Sequence, residues 1–431
     1  MVSDIARDGG DTCTQDLSTD PVCEFYTDHP YPPPVENLDR ARDEWRDDEN
    51  RHRAEYHLLW PGKPYRVDLD ILVAGCGTWQ AAKYALCRPG ARVTGIDVSA
   101  TSLDHTERLK RKYNLTNLET RRMPIENVAE LGRRFDLIVC TGVLHHLADP
   151  DEGLRALRSV LRPDGAIYLM VYAPYGRTGI YLLQDYCRRL GIGTSAREIN
   201  DLATVVEALP SQHPLVALLR GSRDALNADA LADALLNPRD RSYSVPQLFD
   251  FIERNGLTLG RWYWQAPYLP QCGAIAATPH AKRLAELAER ERYAAMELWR
   301  GTMRCHSIVA YRSDVSSVKF TFDDDRWPSC VPLRLPTTIC VRERLPSGAA
   351  GVLINQTHAY RDLIMPIDST EKRLFDAIDG RASIASIVER TLPSAQTKSQ
   401  LEMARTFFEK LWRYDQVVFD ASLCRARKEE S

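Results

Sequence analysis

Three short apolar runs constrain the fold of this chain more than any other feature. They extend from Ile71 to Ala74, from Val93 to Ile96 and from Phe135 to Cys140, where Asp136 is the one polar residue. A strand that is buried on both faces of a parallel sheet reads as a continuous apolar run. Helical stretches separate these runs, as they do in βαβ units. The segment therefore predicts an α/β domain built on a doubly wound, mostly parallel sheet.

The residues that follow the three runs point to one ligand site. Gly75-Cys76-Gly77 follows the first run, Asp97 ends the second, and Thr141-Gly142 follows the third. Ligands of open α/β sheets bind beyond the carboxyl ends of the strands, where the strand order reverses. Because all three segments end at that edge, we expect them to converge there.

The chemistry of these residues favours a cofactor that carries a ribose. Gly75 and Gly77 lack Cβ atoms, so the chain can turn tightly and a ligand can lie against its backbone. Asp97 follows about twenty residues later, the spacing of an acid that accepts hydrogen bonds from both ribose hydroxyls. A dinucleotide site needs a third glycine, but Gln80 occupies that position. A dinucleotide-dependent oxidoreductase is therefore the weaker alternative.

The order of these motifs resembles that of the class I S-adenosylmethionine-dependent methyltransferases. The glycine loop, Asp97, the segment 135–147 and the turn 161–166 match four motifs of that family in sequence order. The resemblance covers roughly residues 60–313. It implies a seven-stranded sheet that ends in an antiparallel strand pair near 257–264 and 307–311. It also implies S-adenosylmethionine as cofactor and methyl transfer as the reaction, but it does not identify the acceptor.

The resemblance also implies a set of cofactor-binding residues. One departure concerns the adenine, because the acid that often holds its amino group has no direct counterpart after the third strand. Glu126 could take that role, or Met123 and Ile125 could sandwich the ring. The predicted set is Ala74, Gly75, Cys76, Gly77, Asp97, Val98, Met123, Pro124, Ile125, Glu126, Thr141 and Gly142.

Four residues after the fourth and fifth strands are the candidate catalytic residues: His145, His146, Tyr172 and Tyr175. Histidine can take a proton near neutral pH, but the resemblance favours a packing role for the pair beneath the cofactor. The tyrosines could orient a nucleophile, although we favour a role in the wall of the pocket. No metal-ligand pattern is present. We therefore predict metal-independent, in-line transfer to a small-molecule or peptide acceptor, driven largely by proximity.

Changes of pattern along the chain predict four units. Residues 1–59 form a disordered tail (1–22), an aromatic, proline-rich arm and a helix from about 38 to 59. Residues 60–313 form the methyltransferase domain, with helical cap insertions at 173–255 and 265–303. Residues 314–365 form a β-rich connector, and residues 366–422 form a small α+β domain. The arm either closes over the cofactor or only packs against the domain.

The sequence of the last unit predicts three helices followed by a strand, which is the pattern of a winged-helix domain. It is similar to the peptide-carrier domain of pyrroloquinoline quinone biosynthesis. Its long third helix carries Glu402 and Glu409 beside Arg405 and Lys410. Because backbone-driven binding of DNA needs a cationic face, we predict no strong nucleic-acid binding. We expect docking of a protein or peptide, or dimerisation. A non-catalytic scaffold with a methyltransferase-like core is a further alternative.

Composition supports a globular protein with ordinary surface charge. The net charge is -3 and 44% of the residues are hydrophobic, which gives no electrostatic reason to expect a nucleic-acid partner. Eleven cysteines are scattered without metal spacing and predict reduced thiols. We find no apolar signal segment at the amino terminus and no run as long as a membrane span. These features predict a cytoplasmic protein that does not bind membranes.

Overall fold

The computed structural model describes residues 20–46, 48–219, 227–315, 320–323, 325–392 and 398–422. Most of the predicted disordered tail, residues 1–19, lies outside these ranges. Its last residues belong to a helix, because Asp20 caps a helix that begins at Pro21.

A seven-stranded sheet with the order β3-β2-β1-β4-β5-β7-β6 forms the centre of the fold. The first five strands are parallel, β7 is antiparallel to β5, and β6 is antiparallel to β7. This arrangement confirms the predicted fold, including the antiparallel pair at the end. The strands are β1 (Asp70–Ala74), β2 (Arg92–Asp97), β3 (Leu118–Arg122), β4 (Phe135–Thr141), β5 (Leu161–Tyr172), β6 (Leu257–Trp262) and β7 (Cys305–Arg312).

Both faces of the sheet are covered, which explains the continuous apolar runs. Along β1, Ile71 and Val73 belong to the apolar layer on one face, whereas Leu72 and Ala74 belong to the layer on the other. Successive side chains of a strand point to opposite faces. Each residue of β1 is therefore buried, whichever way its side chain points.

Helices cross over between the parallel strands as predicted, with two local differences. The predicted helix at 126–132 is a 3-10 turn, Ile125–Leu131, that ends at Gly132 with φ +63°. Strand β5 begins at Leu161 rather than near residue 166, because its pairing with β4 skips from Leu161 to Ala166. The crossover helices are α4 (Gln80–Cys87), α5 (Ala100–Tyr113) and α6 (Pro150–Val160).

The N-terminal region folds as three helices rather than one helix after an extended arm. Arg46 leaves the helical conformation with ψ 129°. Asp48 then starts a new helix by accepting a hydrogen bond from the backbone N–H of Arg51 at 2.9 Å. The helices are α1 (Pro21–Asp28), α2 (Asp39–Trp45) and α3 (Glu49–Leu59).

The predicted cap regions contain helices both before β6 and between β6 and β7. Helices α7 to α10 enclose a small apolar core of their own, which includes Leu183, Leu202 and Leu231. The helices before β6 are α7 (Thr178–Leu190), α8 (Ala196–Glu207), α9 (Pro214–Leu219), α10 (Ala228–Leu236) and α11 (Val245–Arg254). Those between β6 and β7 are α12 (Ala281–Glu286) and α13 (Glu289–Arg300).

The predicted connector and terminal unit fold on one shared core. Strands β9, β10 and β11 form an antiparallel sheet, and the terminal strand β12 pairs with β8 of the connector. The resemblance to a peptide-carrier domain stays a prediction. The elements are β8 (Val331–Arg334), β9 (Thr338–Val341), β10 (Gly351–Asn355), β11 (Ile364–Ile367), α14 (Ser369–Asp376), α15 (Ile384–Thr391), α16 (Lys398–Arg413) and β12 (Val417–Asp420).

A buried carboxylate, that of Asp415, joins this terminal region to the methyltransferase domain. Its oxygens accept hydrogen bonds from the Arg261 guanidinium at 3.2 Å and from the backbone N–H of Ala266 at 2.9 Å. His358 lies 3.2 Å away on the terminal side. Ala266 and Cys272 also belong to the apolar core of the terminal region. The predicted boundary near residue 314 therefore has a packed interface across it.

None of the helices in the described ranges is long and apolar enough to cross a membrane. The predicted cytoplasmic location stays a prediction.

We expect Asp415→Ala to lower the free energy of unfolding by about 3–5 kcal/mol, because it leaves the Arg261 guanidinium buried without its partner. Asp415→Asn should cost less, since asparagine keeps the shape and tolerates the positive φ of 52° at this residue. Urea unfolding measures both values. Asp185→Ala, which removes an exposed ion pair with Arg189, is the control and should have little effect. An equally small effect of Asp415→Ala would show that the contact does not join the two regions.

Candidate functional site

A cavity of about 300 Å³ lies at the carboxyl edge of the sheet, where β1, β2, β4 and β5 end. The N-terminal arm (residues 20–34) closes one side of it. Its wall contains Gly75 and Gly77 from the loop after β1, Asp97 from the end of β2, and Thr141 and Gly142 from the end of β4. The three segments that the sequence analysis singled out therefore meet at one place.

Backbone hydrogen bonds hold the glycine loop against the end of β2. The N–H groups of Gly75 and Cys76 both donate to the carbonyl of Ile96 at 2.9 Å. The N–H of Gly77 donates to the Asp97 carboxylate at 2.8 Å, and that of Ser99 donates to its other oxygen at 2.9 Å. The carboxylate thus fixes the loop before α4 and the start of α5 together.

Asp97 is half-buried and faces the cavity. Burial raises the pKa of its carboxyl group, while the N–H groups of Ser99 and Gly77 act in the opposite direction. A carboxylate has about four acceptor positions, so capacity remains for hydroxyl donors in the cavity. This geometry suits the two hydroxyls of a ribose.

Two glycines allow close approaches that a side chain would prevent. Both have positive φ, +69° at Gly75 and +55° at Gly77. A Cβ on Gly75 would overlap the Val143 side chain. A Cβ on Gly77 would lie 2.9 Å from Cδ of Pro32 and 3.2 Å from the carbonyl oxygen of Tyr31. The glycine loop therefore packs directly under the N-terminal arm.

The arm is held over the cavity by polar contacts to the domain. The Thr78 hydroxyl donates to the carbonyl of Pro32 at 2.7 Å, and the Ser99 hydroxyl donates to that of Tyr26 at 2.9 Å. Tyr26, Tyr31 and Pro32 all line the cavity. Of the two interpretations of the arm, this packing favours the one in which the arm covers the cofactor.

Most of the predicted site residues lie on the cavity wall, but five do not. Ala74 is buried within β1, and Pro124 and Glu126 lie beside the wall residues Met123 and Ile125. His145 and Tyr175 are the other two, and their positions are described below. The predicted residues on the wall are Gly75, Cys76, Gly77, Asp97, Val98, Met123, Ile125, Thr141, Gly142, His146 and Tyr172.

The structure separates the two histidines that the sequence could not distinguish. His145 is 0% exposed, its ring lies 3.9 Å from that of Tyr172, and neither ring nitrogen has a hydrogen-bond partner within the described ranges. Burial lowers the pKa of His145 well below its ordinary value, and the neighbouring His146 and Arg177 lower it further. A neutral, packed ring of this kind is structural.

His146 is also buried, but it reaches the cavity wall. Its Nδ1 atom forms a short hydrogen bond with the carbonyl oxygen of Arg239. Its Nε2 atom has no hydrogen-bond partner in the part of the chain that the structure describes. Of the two histidines, His146 is therefore the one on the cavity wall, and its Nε2 atom is itself buried.

The two tyrosines also differ. Tyr172 lines the cavity, and the Arg177 guanidinium lies 3.5 Å from the centre of its ring. The same guanidinium forms a buried ion pair with Asp240 at 2.7 Å. Burial raises the pKa of Tyr172 well above its ordinary value, so the phenol stays protonated. Tyr175 is 42% exposed. It lies in the 3-10 turn after β5, which carries its side chain to the surface.

Sequence reasoning missed the wall residues that come from the arm, from the start of α4, from α5, from the loop after β4 and from β5. Gln80, noted only as the missing third glycine, donates to the Thr141 hydroxyl at 2.8 Å. The arm residues carried one sequence signal, their aromatic and proline-rich composition. The missed wall residues are Val22, Tyr26, Tyr31, Pro32, Trp79, Gln80, Ser102, Val143, Leu147 and Met170.

No group of three or more histidine, cysteine, aspartate or glutamate residues within the described ranges could hold a metal ion. The polar side-chain groups on the cavity wall are hydroxyls, one imidazole, one indole, one amide, the thiol of Cys76 and the Asp97 carboxylate. The described part of the wall therefore provides groups for hydrogen bonding rather than a cluster of side chains that could coordinate a metal ion.

Comparison with known proteins agrees with this geometry. The family model described as "Methyltransferase domain" matches residues 72–167. An uncharacterized protein of Synechococcus sp. is 30% identical over 293 residues, which cover 66% of this chain and 69% of that protein. A ubiquinone biosynthesis O-methyltransferase of Neisseria meningitidis is 25% identical over 160 residues, which cover 35% of this chain and 66% of the enzyme.

Similar solved structures extend over more of the chain. PKMT2 from Rickettsia typhi, solved in complex with AdoHcy, superposes with a TM-score of 0.59 at 14% identity. The superposition covers 86% of this chain and 75% of that protein. At this identity the similarity shows a shared fold.

We expect Asp97→Asn to weaken binding of S-adenosylhomocysteine by about 1–3 kcal/mol, because the amide disturbs a buried set of hydrogen bonds and accepts with one oxygen only. Isothermal titration calorimetry measures the change. Glu126→Gln is the matched control, since this carboxylate lies off the wall, and its affinity should stay near that of the native protein. Equal losses of affinity in both variants would show that Glu126 also contacts the cofactor. An unchanged affinity in Asp97→Asn would show that Asp97 does not.

We expect Gly77→Ala to weaken the same affinity at least about tenfold, because the new Cβ displaces the arm as well as straining the turn. Gly191→Ala provides the control. Gly191 has φ +63° and open space where a Cβ would lie, so that variant carries the backbone strain alone. Limited proteolysis should cut residues 20–34 faster in Gly77→Ala than in Gly191→Ala. Identical cleavage and affinity in the two variants would contradict a role of the arm in covering the cofactor.

Proposed function

Because the chain belongs to the class I S-adenosylmethionine-dependent methyltransferases, we propose that it methylates a hydroxyl group of a small molecule, with His146 as the proton acceptor. The observation that carries this proposal is the hydrogen bonding of the His146 ring. A carbonyl oxygen only accepts hydrogen bonds, so the Nδ1 atom that contacts the Arg239 carbonyl carries the hydrogen. In a neutral imidazole the lone pair then lies on Nε2, which has no hydrogen-bond partner among the described residues.

The residues at the cavity suit the nucleoside part of the cofactor. The Asp97 carboxylate faces the space beside the glycine loop. A Cβ at Gly75 would overlap Val143, and a Cβ at Gly77 would press against Pro32. We propose that Asp97 holds the ribose and that Met123 and Ile125 flank the adenine. Glu126 is then not needed for the adenine contact.

The other side of the cavity suits a neutral, flat acceptor. It is formed by three phenols, the His146 imidazole and apolar side chains, and Asp97 is the one charged residue on the entire wall. Aromatic walls bind flat rings through stacking and edge contacts. The Tyr26 hydroxyl already donates to Asp233, so a hydrogen bond to an acceptor hydroxyl would come from another phenol of the wall. The acceptor class that fits these groups best is a phenol or a related acidic hydroxyl.

The relatives support oxygen as the acceptor atom. Several ubiquinone biosynthesis O-methyltransferases are 25–29% identical to this chain over 99–160 residues. The matches cover at most 66% of those enzymes, so their substrates are not transferred to this chain. The peptide acceptor and the scaffold role are the alternatives that the experiments below must separate.

The chemistry needs little from the protein beyond positioning and one proton acceptor. S-Adenosylmethionine supplies a methyl group on a sulfonium, which is already an activated leaving group. The methyl–sulfur bond breaks as the methyl–oxygen bond forms, and the hydroxyl proton passes to Nε2 of His146. The positive charge thereby moves from sulfur to the imidazole. Tyr31 and Pro32 of the arm exclude water from the site. We therefore propose that no metal takes part.

A panel of acceptors tests the class. Purified protein is incubated with methyl-tritiated S-adenosylmethionine and with catechols, monophenols, primary amines or a lysine-containing peptide. We expect label in catechols or monophenols. Labelled amine or peptide with unlabelled phenols would assign a different acceptor. Binding of S-adenosylhomocysteine without any labelled product would favour the scaffold alternative.

We expect His146→Gln to lower kcat for the best hydroxyl acceptor by roughly 10²–10⁴-fold, the range typical of a lost general base. In the native protein kcat/KM should fall on acidification because a protonated imidazole cannot accept the hydroxyl proton, and the variant should lose this dependence. His280→Gln, at an exposed position, is the matched control. Calorimetry with S-adenosylhomocysteine verifies that the cofactor site is intact. A loss below tenfold with an unchanged pH profile would exclude His146 as the base.

A further inference from the structure

Asp233 of helix α10 is a buried carboxylate behind the acceptor side of the cavity. It is 5% exposed. The Tyr26 hydroxyl donates to its Oδ1 atom at 2.7 Å, and the Asn237 amide lies 3.5 Å from the same oxygen. Asn237 also donates to the Tyr26 hydroxyl at 2.9 Å. Tyr26 lines the cavity, so it lies between the carboxylate and any bound acceptor.

Asp233 lacks the cationic partner that a buried carboxylate usually has. Within the described ranges no lysine or arginine lies in ion-pair distance of it. The nearby Arg177 is bound to Asp240 at 2.7 Å, and Asp240 also accepts from Gln184 at 2.8 Å. Burial of an unpaired charge is expensive in a protein. A positive charge that forms nearby during the reaction would therefore stabilise the ionised carboxylate.

His146 is the group nearest the cavity that can supply this charge. Its ring lies 6.0 Å from the ring of Tyr26 in an edge-to-face arrangement, so the phenol bridges the space between imidazole and carboxylate. Burial raises the pKa of Asp233, and the charge of His146 is the first of the influences that lower it. Tyr26 packs against the His146 ring and donates to the Asp233 carboxylate, so it links the two groups.

We propose that Asp233 is a positioning residue that balances the positive charge of His146 during methyl transfer. This inference rests on the proposed function of His146. One positive charge enters the site on the sulfonium, and one remains on the imidazole after the hydroxyl proton has moved. The Asp233 carboxylate lies behind Tyr26, off the cavity wall, in both states. It needs no proton transfer of its own, and its contribution is to favour the imidazolium as it forms.

The arm completes this arrangement. Tyr26 belongs to α1 and Asp233 to α10, so the carboxylate gains its strongest hydrogen bond only when the arm lies in place. Asp20 of the arm also pairs with Arg239 at 3.0 Å, and the Arg239 carbonyl holds the His146 ring. Closure of the arm over the cofactor and orientation of the proton acceptor are therefore coupled through the same few residues.

Other ionisable groups also face the pair, and the test must keep them unchanged. They belong to the loop after β4, to the end of β5, to the turn before α7 and to the segment after α10. On these elements the groups that face His146 or Asp233 are His145, Tyr172, Arg177 and Asp240. A substitution at Asp233 that preserves its shape leaves all four in place.

The titration of His146 tests the charge balance without an acceptor. The complex with S-adenosylhomocysteine is prepared with isotope-labelled histidine, and the His146 signal among the ten histidines is assigned with His146→Gln. In Asp233→Asn, which removes the charge and keeps the shape, we expect the midpoint of the His146 titration to move to lower pH. In Asp233→Glu, which keeps the charge, the midpoint should stay close to the native value. The signal of exposed His280 should move in neither variant.

Kinetics provide the second readout. We expect Asp233→Asn to lower kcat by about ten- to a hundredfold, less than the roughly 10²–10⁴-fold effect of losing the base itself. The KM of the acceptor should change little, and the acid limb of the pH profile should move to lower pH.

The two readouts separate this inference from the proposed function. An unmoved His146 midpoint in Asp233→Asn overturns the charge balance, whatever the effect of His146→Gln on turnover. Equal shifts in Asp233→Asn and Asp233→Glu would also overturn it, because packing rather than charge would then be the cause. A moved midpoint together with full activity of His146→Gln would support the electrostatic pair and exclude the proposed base.

Discussion

The hydrogen bonds of the Asp97 carboxylate organise the edge of the sheet on which the site depends. One oxygen accepts from the N–H of Gly77 and the other from the N–H of Ser99, and the Asp97 carbonyl accepts from Met123 at 3.0 Å. The loops after β1, β2 and β3 are therefore tied to one residue. Because the carboxylate also faces the cavity, the group that positions the loops is the group that can receive the ribose. In the function that we propose, structural and ligand-binding roles coincide at this residue.

At the opposite edge, the sheet is held by a second set of buried carboxylates. Asp70 accepts two hydrogen bonds from Arg92, at 2.7 and 2.8 Å, and a third from Arg162 at 2.7 Å. Asp136 accepts from Arg162 and from the backbone N–H of Asp70. These ion pairs connect β1, β2, β4 and β5 at the end of the sheet away from the cavity. The cavity edge can then carry glycine turns and incompletely paired groups, since its strands are already fixed at the other end.

Features that depend on neighbouring residues in the chain, such as buried strands, could be predicted from the sequence. Features that depend on contacts between residues far apart in the chain could not. Buried strands need continuous apolar runs, so the segments of β1, β2 and β4 could be read directly, and Gly75, Gly77 and Asp97 follow from their places at the ends of β1 and β2. The separation of His145 from His146 could not be read, because it depends on a hydrogen bond to Arg239, 93 residues away. Tyr26 and Asp233 are 207 residues apart, and no spacing rule connects an arm to a cap helix.

The terminal region reaches the cavity indirectly, through the helix that follows the arm. Arg53 of α3 contacts the Gly380 carbonyl and lies 3.2 Å from Asp420, and His57 lies 3.3 Å from the same carboxylate. Burial would raise the pKa of Asp420, but the hydrogen bond and charge of His57 hold it below its ordinary value. The arm is joined to α3 by α2, so the contacts of α3 with the terminal region hold the helix to which the arm over the cavity is connected.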